Sequence, residues 1–517
     1  MAILHKNITA GADIHNPKWF SGANNGDYAF KNEKGELESI DELLLPAALN
    51  FVDGSVAPPT TNSGDIYILS SGGSVNAGWG SVSLQDWVRY DGTQWNSITP
   101  QKSSLCYDKT ADLLKVYDGS SWAGMGSSFG KYAISDSSGA FTYYSTIQDA
   151  LTAASSGDVI EQFANVTVTG TTTINLIDGV TWNMNGYTYK NNDAGQCAMF
   201  TIPTNTTVKF TFKNGTIIRD GGTYSGSNNG VVQSGNYYDS EVICDNTIFT
   251  AATGFPFYGN AKVVGGTFKG QYFYAQGSCV NIYVSTTNGS AVAGSNARIY
   301  NSYFYASNNY HYPTNGCLSY NSTFESDGSY GAYLGNGNSE AHNCTFISST
   351  NYGLRMLGDN ATQYSRAFNC VGISSSGYGI YMTGHAKAYN CSAFAKAGHG
   401  AGVFGYSEFN NCSVESKAGI GVLSGNDTII KNCSIVSKYN NSSGHALEFF
   451  GGYSANGFIA VGNYLKVTNS SAFCLKVAAA NDGKWAGNTY EGASTAESIT
   501  NANLMSNTPD SYNNILL

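Results

Sequence analysis

A short Asn-Cys phrase recurs along the C-terminal half of the chain at a nearly constant spacing. Its five copies are Asn343-Cys344, Asn369-Cys370, Asn390-Cys391, Asn411-Cys412 and Asn432-Cys433. The first two asparagines lie 26 residues apart, and each later step is 21 residues. A fixed period in the low twenties, with strand-like units and no helical pattern, predicts a solenoid of stacked coils.

The residues of the phrase alternate as they do in a β-strand. Counting from the asparagine, positions +1 and +3 are predicted to face inward and position +2 to face outward. The asparagine itself is predicted to lie at a bend, where it tolerates left-handed backbone geometry and can hydrogen-bond its copies in neighbouring coils. The cysteines then form a buried, reduced ladder, because a stacked thiol inside a coil behaves as a small apolar residue.

A second strand-like segment that starts with glycine follows the phrases, for example at residues 353–356 and 379–382. Two or three strands per turn at this period predict an all-β protein built on a right-handed parallel β-helix. The repeat covers residues 158–480, which corresponds to about 15 coils and, at about 4.8 Å between strands, to a stack about 70 Å long.

The composition limits the classes of function. Only 12% of the residues are charged and the net charge is −10, while glycine (61) and tyrosine (36) are abundant. Average chains carry about 25% charged residues, so this balance suits extended β-structure with turns rich in glycine and asparagine. A negative chain argues against a nucleic-acid partner, which would require a basic stripe.

The sequence also bears on localisation. Residues 1–11 have no basic segment followed by an apolar one, and no apolar run approaches the roughly 18 residues of a membrane span. We therefore expect no secretion signal and no membrane insertion. A chain made in a cytoplasm with the composition of a surface appendage is typical of a viral structural protein, which leaves the cell inside a particle.

Turn and linker signals divide the remainder of the chain. A Pro-Pro pair followed by small polar residues marks a linker. Before the first coil, residues 144–154 predict a short amphipathic helix with Ser145 as its N-cap, which would cover the open end of the solenoid. The predicted divisions are an N-terminal arm at 1–55, a linker at 56–64, a small antiparallel β module at 65–126, a linker and cap helix at 127–157, the β-helix at 158–480 and a C-terminal cap at 481–517.

The small β module contains two related hairpin units. In each, an alternating strand ends in Asp-Gly, a tight-turn signal, and a tryptophan follows three residues beyond the glycine, where its ring can fold back onto a tyrosine. The candidate carbohydrate-binding residues are Trp87, Tyr90, Trp95, Tyr117 and Trp122. The alternative is that these rings form the core of the module, since about 60 residues have little else to pack.

The sequence does not provide a clear set of catalytic residues. A glycosidase needs two carboxylates about 5–9.5 Å apart. Glu325 and Glu415 share a column but lie four coils apart, about 19 Å, and the pair Glu325 and Asp327 is more typical of a solvated turn. No catalytic residue, metal-ligand set or cofactor is predicted. The tyrosines of the coils can stack on sugar rings or be buried between the chains of a trimer, and the sequence leaves both open.

Two segments resemble known families. Residues 144–186, with TIQDALTAASSGDVIEQF and TTTINLIDGVTWNMNGYT, resemble the first coils of pectate-lyase-like β-helix proteins, which include polysaccharide-acting enzymes and bacteriophage tailspikes. The segment 65–126 resembles a small phage-associated module with paired Trp/Tyr-Asp-Gly-x-x-Trp hairpins, found in tail proteins and thought to bind carbohydrate. The matching residues here are Tyr90-Asp91-Gly92 with Trp95 and Tyr117-Asp118-Gly119 with Trp122.

These resemblances imply a structural component of a bacteriophage virion, a tail fibre or tailspike that binds glycans of the bacterial surface. They imply a homotrimer that contacts other virion proteins through residues 1–55. Two alternatives stay open: a capsid (head) fibre of the same build, and a tailspike depolymerase, either a polysaccharide lyase or a glycoside hydrolase, with an active site between chains.

Overall fold

The computed structural model divides the chain into two compact units, Met1–Lys131 and Tyr132–Leu517. The residues that it describes are 29–31, 37–39, 47–48, 50–59, 66–71, 74–100, 104–108, 113–117, 119–124, 130–135, 141–170, 173–192, 198–204, 206–221, 230–235, 239–288, 291–293, 296–309, 311, 316–335, 337–360, 362–450, 457–478, 483–499 and 515–516. Among these residues, no helix has the length and apolar character needed to cross a membrane.

The N-terminal unit contains two four-stranded sheets, together with a separate hairpin that pairs Ala29–Lys31 with Leu37–Ser39. The first sheet has the strand order Asn50–Asp53, Ile66–Ser71, Trp87–Tyr90, Trp95–Ile98. The second sheet has the order Trp122–Gly124, Leu113–Tyr117, Leu105–Asp108, Ala47–Ala48. A 3₁₀ turn at Ala77–Trp79 lies between the second and third strands of the first sheet.

At one edge of each sheet, the strand comes from residues that the sequence placed outside the module. Ala47–Ala48 pairs in parallel with Leu105–Asp108, and Asn50–Asp53 pairs in parallel with Ile66–Ser71. Residues 47–48 and 50–53, which the sequence assigned to the arm, therefore form edge strands of the module, and the described pairs inside both sheets are antiparallel. These strands occupy backbone groups that a bare sheet edge would leave exposed.

A hairpin opens the C-terminal unit, in a segment that the sequence assigned to a linker. Tyr132–Ser135 pairs antiparallel with Phe141–Tyr144 and also with Val159–Gln162, the first strand of the coils. The hairpin therefore covers the first coil with antiparallel partners, which protects the end of a parallel stack from pairing with another chain.

The predicted cap helix follows the hairpin and spans Ile147–Ala153. Its N-cap is Thr146 and not the predicted Ser145, because Thr146 Oγ1 accepts the backbone N–H of Asp149 at 3.1 Å. The apolar face of the helix, which includes Ile147 and Leu151, is buried in the hydrophobic core of the unit.

The coils place their strands in three parallel sheets, here called A, B and C, and the fold is a right-handed parallel β-helix as predicted. Sheets A and B meet at a bend and are continuous in two long strands, Lys209–Arg219 and Glu241–Ala251. Including these two, sheet A has fifteen described strands, one for each coil, in agreement with the number expected from the period.

The other strands of sheet A are Val159–Gln162, Thr181–Asn183, Lys262–Val264, Ser278–Val280, Arg298–Tyr300, Leu318–Tyr320, Glu340–His342, Arg366–Phe368, Lys387–Tyr389, Glu408–Asn410, Thr428–Lys431, Phe458–Val461 and Gly483–Ala486. Those of sheet B are Val166–Val168, Thr188–Asn191, Thr267–Gly270, Tyr283–Thr286, Tyr303–Ala306, Thr323–Ser326, Thr345–Ser348, Val371–Ser374, Ser392–Ala395, Ser413–Ser416, Ser434–Ser437, Tyr464–Val467, Thr489–Glu491 and Ile515–Leu516.

Sheet C consists of two separate parts. The first part contains Ile174–Asn175, Phe200–Ile202, Gly230–Ser234, Phe255–Gly259, Phe273–Ala275 and Ala291–Ala293. The second contains Ala332–Leu334, Leu354–Leu357, Ile380–Thr383, Ala401–Val403, Val422–Ser424, Leu447–Phe449, Leu475–Val477 and Glu497–Ile499. His311, which is fully buried, makes an isolated parallel bridge to Ala332 ahead of the second part.

The recurrent asparagines lie at the bend between sheets A and B with left-handed backbone. Their φ angles are between 52° and 55° for Asn343, Asn369, Asn390, Asn411 and Asn432. The amide of Asn343 donates to Asn321 Oδ1 at 3.2 Å, and Asn369 donates to Asn343 Oδ1 at 3.3 Å. The asparagine ladder therefore combines a backbone conformation that most residues avoid with side-chain hydrogen bonds between coils.

The five phrase cysteines, Cys344, Cys370, Cys391, Cys412 and Cys433, are buried and form no disulfide. Their thiols take part in hydrogen bonds with the backbone. For example, the backbone N–H of Cys391 donates to Cys412 Sγ in the next coil at 3.3 Å, and the Cys412 thiol donates to the carbonyl of Asn410 at 3.2 Å. The thiol thus satisfies a backbone N–H that the bend removes from the sheet ladder. Ser302 and Ser322 do the same at this position in earlier coils.

The coils continue beyond the predicted limit at residue 480. Gly462 and Gly487 take the bend position with φ of 69° and 63°, and Asn463 and Asn488 take the cysteine position. Strands Gly483–Ala486, Thr489–Glu491 and Glu497–Ile499 extend all three sheets. Because these coils have glycine in place of asparagine, the Asn-Cys phrase is not visible in their sequence, although glycine adopts the same left-handed backbone. Part of the predicted C-terminal cap is therefore a further coil.

Candidate functional site

A pocket of about 880 Å³ opens on the N-terminal unit beside the first Tyr-Asp-Gly-x-x-Trp hairpin. The ring of Trp95 folds back onto Tyr90 with 5.1 Å between ring centroids, as the spacing predicted. Both residues line the pocket, together with Gln94 and Asn96. The pocket therefore contains two of the five candidate carbohydrate-binding residues.

Asp91 holds the loop of this hairpin in place. Its Oδ1 accepts the backbone N–H groups of Thr93 (2.8 Å) and Gln94 (2.9 Å), and its Oδ2 accepts Asn96 Nδ2 at 2.8 Å. These hydrogen bonds hold the pKa of the Asp91 carboxyl well below its usual range, with the backbone bond from Gln94 as the largest cause. The carboxylate thus stays ionised and fixes the polar side chains on one wall of the pocket.

The opposite wall comes from segments that the sequence analysis did not single out. Pro58 and Pro59, predicted to be linker, face the 3₁₀ turn that contains Gly78. A Cβ at Gly78 would lie 2.8 Å from Pro58 Cδ, so the close approach of these two segments requires glycine. No local pattern identifies this wall, because its two segments meet only through the fold.

Trp79 packs against Trp95, one of the residues that line the pocket. It is buried, its Nε1 donates to the carbonyl of Val56 at 2.8 Å, and its ring lies 4.6 Å from that of Trp95. Tyr67 packs against both tryptophans. The module core packs against one side of Trp95, and the other side borders the pocket. Core packing, one of the two roles that the sequence left open for this ring, therefore applies to the first side, and carbohydrate binding stays a prediction for the second.

The remaining three candidates lie elsewhere. Trp87 stacks on Trp122 at 5.5 Å, and both pack against Ile68 and Cys106 in a separate hydrophobic cluster. Tyr117 contacts Trp122 at 5.5 Å and 49°, close to the arrangement of the first hairpin. The two hairpins thus share a local geometry, but the pocket residues include Tyr90 and Trp95 and not their counterparts.

The chemistry of the pocket is neutral. Its twelve described lining residues include no charged side chain; besides the two rings they offer the hydroxyl groups of Ser81, Thr93 and Ser97 and the amides of Gln94 and Asn96. Such groups both donate and accept hydrogen bonds. A pocket of this kind suits an uncharged ligand with hydroxyl groups and one apolar face.

Several acids of the coils make hydrogen bonds between neighbouring coils. Tyr303 donates its hydroxyl to Glu325, and Tyr305 donates to Asp327 at 2.6 Å. The bond from Tyr305 lowers the pKa of Asp327 and raises the pKa of Tyr305 to about 12. Strand register places Glu325 and Glu415 four strands apart in one column, as expected.

Other acids form ion pairs across coils. Glu241 lies 2.8 Å from Lys262 Nζ and 3.5 Å from Lys209 Nζ, and the hydrogen bond from Lys262 is the main reason that its pKa is lowered. Glu491 pairs with Lys466 at 2.6 Å. Across the part of the chain that the structure describes, no three histidine, cysteine, aspartate or glutamate side chains are grouped to hold a metal ion.

The aromatic residues on the outer face of sheet A stack on one another. Successive ring centroids are 5.4, 4.7, 4.7 and 5.3 Å apart along the column Tyr300, Tyr320, His342, Phe368 and Tyr389. Since each ring covers the face of the next, these faces are not open for stacking on a sugar. The column contributes cross-strand contacts of about 0.5–1.5 kcal/mol each.

The chain was compared with known proteins. No protein-family model and no curated protein matches it. Among solved structures it is similar to the A-module of mannuronan C-5 epimerase AlgE6 from Azotobacter vinelandii, with 14% identity over 72% of this chain and 93% of that chain and a TM-score of 0.32. The β-helix described above rests on strand register and not on this weak similarity.

Proposed function

We propose that this chain is a structural component of a bacteriophage virion, a tail fibre or tailspike-like appendage that binds glycans of the host surface through the pocket at Tyr90 and Trp95. The neutral, aromatic lining of that pocket is the observation that supports the proposal most. The C–H face of a pyranose packs on an aromatic ring, while hydroxyl and amide groups exchange hydrogen bonds with the sugar hydroxyls.

The β-helix serves as the scaffold of the appendage. Its parallel strands stack with regular register through fifteen described coils, and each coil contacts mainly its neighbours. Acids such as Glu241 and Glu325 are engaged by lysine and tyrosine side chains of adjacent coils. We therefore propose that the chain acts by binding and does not cleave the glycan.

We propose a homotrimer attached to the particle through other virion proteins that contact residues 1–55. Most of that segment lies outside the described residues, and its strands at 47–48 and 50–53 belong to the module sheets. Several weak pockets on one particle would engage a repetitive polysaccharide together, so that avidity exceeds the affinity of a single pocket by a large factor.

The test uses the purified chain on an array of bacterial surface polysaccharides. We expect Tyr90→Ala to weaken binding about tenfold, because loss of one stacking contact with its buried area removes about 1.4 kcal/mol. Tyr117→Ala is the matched control, since it alters the equivalent ring of the second hairpin, and it should leave binding unchanged. Equal binding by wild type and Tyr90→Ala, or no binding to any polysaccharide, would refute the proposed pocket.

Two further readouts address the class of protein. The bound polysaccharide should keep its length in size-exclusion chromatography, whereas shortening would identify a depolymerase. An antibody against the chain should label appendages on purified phage particles by immunogold electron microscopy. Absence of the chain from the particles would refute the virion assignment independently of glycan binding.

A further inference from the structure

A break in the repeat leaves a slot on the surface of the β-helix. In one outward-facing column of sheet B, strand register aligns Ile248, Thr267, Tyr283 and Tyr303 in successive coils. Ile248 and Tyr283 are exposed, at 37% and 41%, and the short Thr267 lies between them. A groove of about 630 Å³ opens at this place.

The bend beside Thr267 also lacks a side chain. Gly265 and Gly266 occupy the positions that Asn281 and Ile282 hold in the next coil, with left-handed φ of 72° and 86°. A Cβ at Gly266 would lie 2.5 Å from Cys244 Cβ, and one at Gly265 would lie 2.6 Å from the carbonyl oxygen of Cys244. The gap in the asparagine ladder is therefore enforced by the backbone of the preceding coil.

The gap leaves polar groups at its rim. Asn281 is exposed, and its side-chain amide makes no hydrogen bond within the described part of the chain, whereas the side chain of Asn321 continues the ladder to Asn301 at 3.3 Å. None of the thirteen described residues that line the groove is charged. A ligand in the groove would therefore meet neutral amide and hydroxyl groups next to an aromatic ring.

The ring of Tyr283 is held in a fixed orientation. Tyr303 stacks on one side of it with 5.2 Å between centroids and an angle of 7°. Tyr303 is in turn held by the hydrogen bond from its hydroxyl to Glu325. The other side of Tyr283 points along the column towards Thr267, so this face is presented to the slot.

The slot has the height of one sugar ring. Ile248 and Tyr283 are two strand spacings apart, about 9.6 Å, so a flat group above Thr267 lies about 4.8 Å from each, a typical stacking distance. We propose that this slot binds one neutral hexopyranose unit of a polysaccharide, stacked on Tyr283 with its hydroxyl groups on Asn281. It is a second glycan site, separate from the Tyr90 and Trp95 pocket.

The experiment is saturation-transfer NMR on the full chain with methyl glucoside, methyl galactoside and methyl mannoside as probes. Thr267→Tyr should extend the tyrosine stack and fill the slot without loss of thermal stability, and Tyr283→Ala removes the stacking face. Both changes are made in a Tyr90→Ala background, so that the module pocket contributes no signal, and there we expect signals from the pyranose ring protons to fall at least fivefold. Methyl glucuronide, which carries a charge, should give weaker signals than the neutral glycosides.

Ser392→Tyr is the matched control, since it places a tyrosine in the same column away from the slot. Made in the same Tyr90→Ala background, it should retain the signals of that background. An unchanged signal in Thr267→Tyr, or no signal from any neutral glycoside, would overturn the slot. A signal already lost in Tyr90→Ala, before either slot change, would leave the module pocket as the binding site and refute only this second site.

Discussion

Replacing Asn343 separates the two contributions that a bend asparagine makes to stability. The residue adopts φ of 54°, and its amide takes part in two ladder hydrogen bonds, to Asn321 and from Asn369. Alanine in left-handed backbone costs about 1–2 kcal/mol, and loss of two exposed hydrogen bonds costs about 1 kcal/mol. We therefore expect Asn343→Ala to destabilise the chain by about 2–3 kcal/mol.

Asn343→Gly removes the same hydrogen bonds but accepts the backbone conformation. Allowing for the greater freedom of glycine in the unfolded chain, we expect it to cost about 1–2 kcal/mol, about 1 kcal/mol less than alanine. The native chain already uses glycine at this position in two coils, at Gly462 and Gly487. The order of stability should be wild type, then glycine, then alanine.

The assay is unfolding in guanidinium chloride followed by far-UV circular dichroism, with hydrogen exchange of the peptide 340–348 as a local readout. The local readout is needed because long repeat arrays need not unfold as a single cooperative unit. Thr345→Ala, on the outer face of the same coil, serves as the control and should change little. If Asn343→Ala were as stable as Asn343→Gly, the left-handed bend would not be the reason for asparagine.

Three further outcomes are expected. Cys412→Ser should destabilise the chain by about 1 kcal/mol less than Cys412→Val, because serine still accepts the backbone N–H of Cys391 whereas valine leaves it buried and unpaired; equal denaturation midpoints would contradict this. Burial lowers the pKa of His311 to about 4, below the roughly 6.5 of a free histidine, so its stabilisation is complete above pH about 6.5 and is lost as the pH falls towards 4. Between pH 7 and pH 5 the unfolding free energy should fall by about 2 kcal/mol more in wild type than in His311→Gln, and parallel pH profiles would refute this. Light scattering after size-exclusion chromatography should give three times the mass of one chain, and a monomer would refute the proposed trimer.

The sequence was informative wherever one coil repeats another. Asparagine at a constant period predicted both the left-handed bend and its ladder, since few other residues with a side chain tolerate that backbone. The alternation around Cys391 predicted which side chains are buried, because a strand has a period of two. The contact between Tyr90 and Trp95 followed from hairpin geometry alone.

Features that depend on pairing between distant segments could not be predicted in this way. The edge strands at residues 47–48 and 50–53 join the module through parallel pairing with Leu105–Asp108 and Ile66–Ser71, and parallel pairs leave no turn signal in the sequence. The pocket could not be predicted for the same reason. Its first wall is one hairpin, but Pro58 and Gly78 reach the second wall from separate segments.

The proposed slot lies where the β-helix departs from its own regularity. A solenoid with every ladder complete presents stacked rings and paired amides, and the faces of those groups are already covered, as along the column from Tyr300 to Tyr389. Where Gly265 takes the bend position and the short Thr267 stands next to Tyr283 in its column, one face of the Tyr283 ring borders the groove, and the side-chain amide of Asn281 makes no hydrogen bond among the described residues. In such a protein, coils that agree with the repeat identify the scaffold, and a coil that breaks it is the place to test for binding.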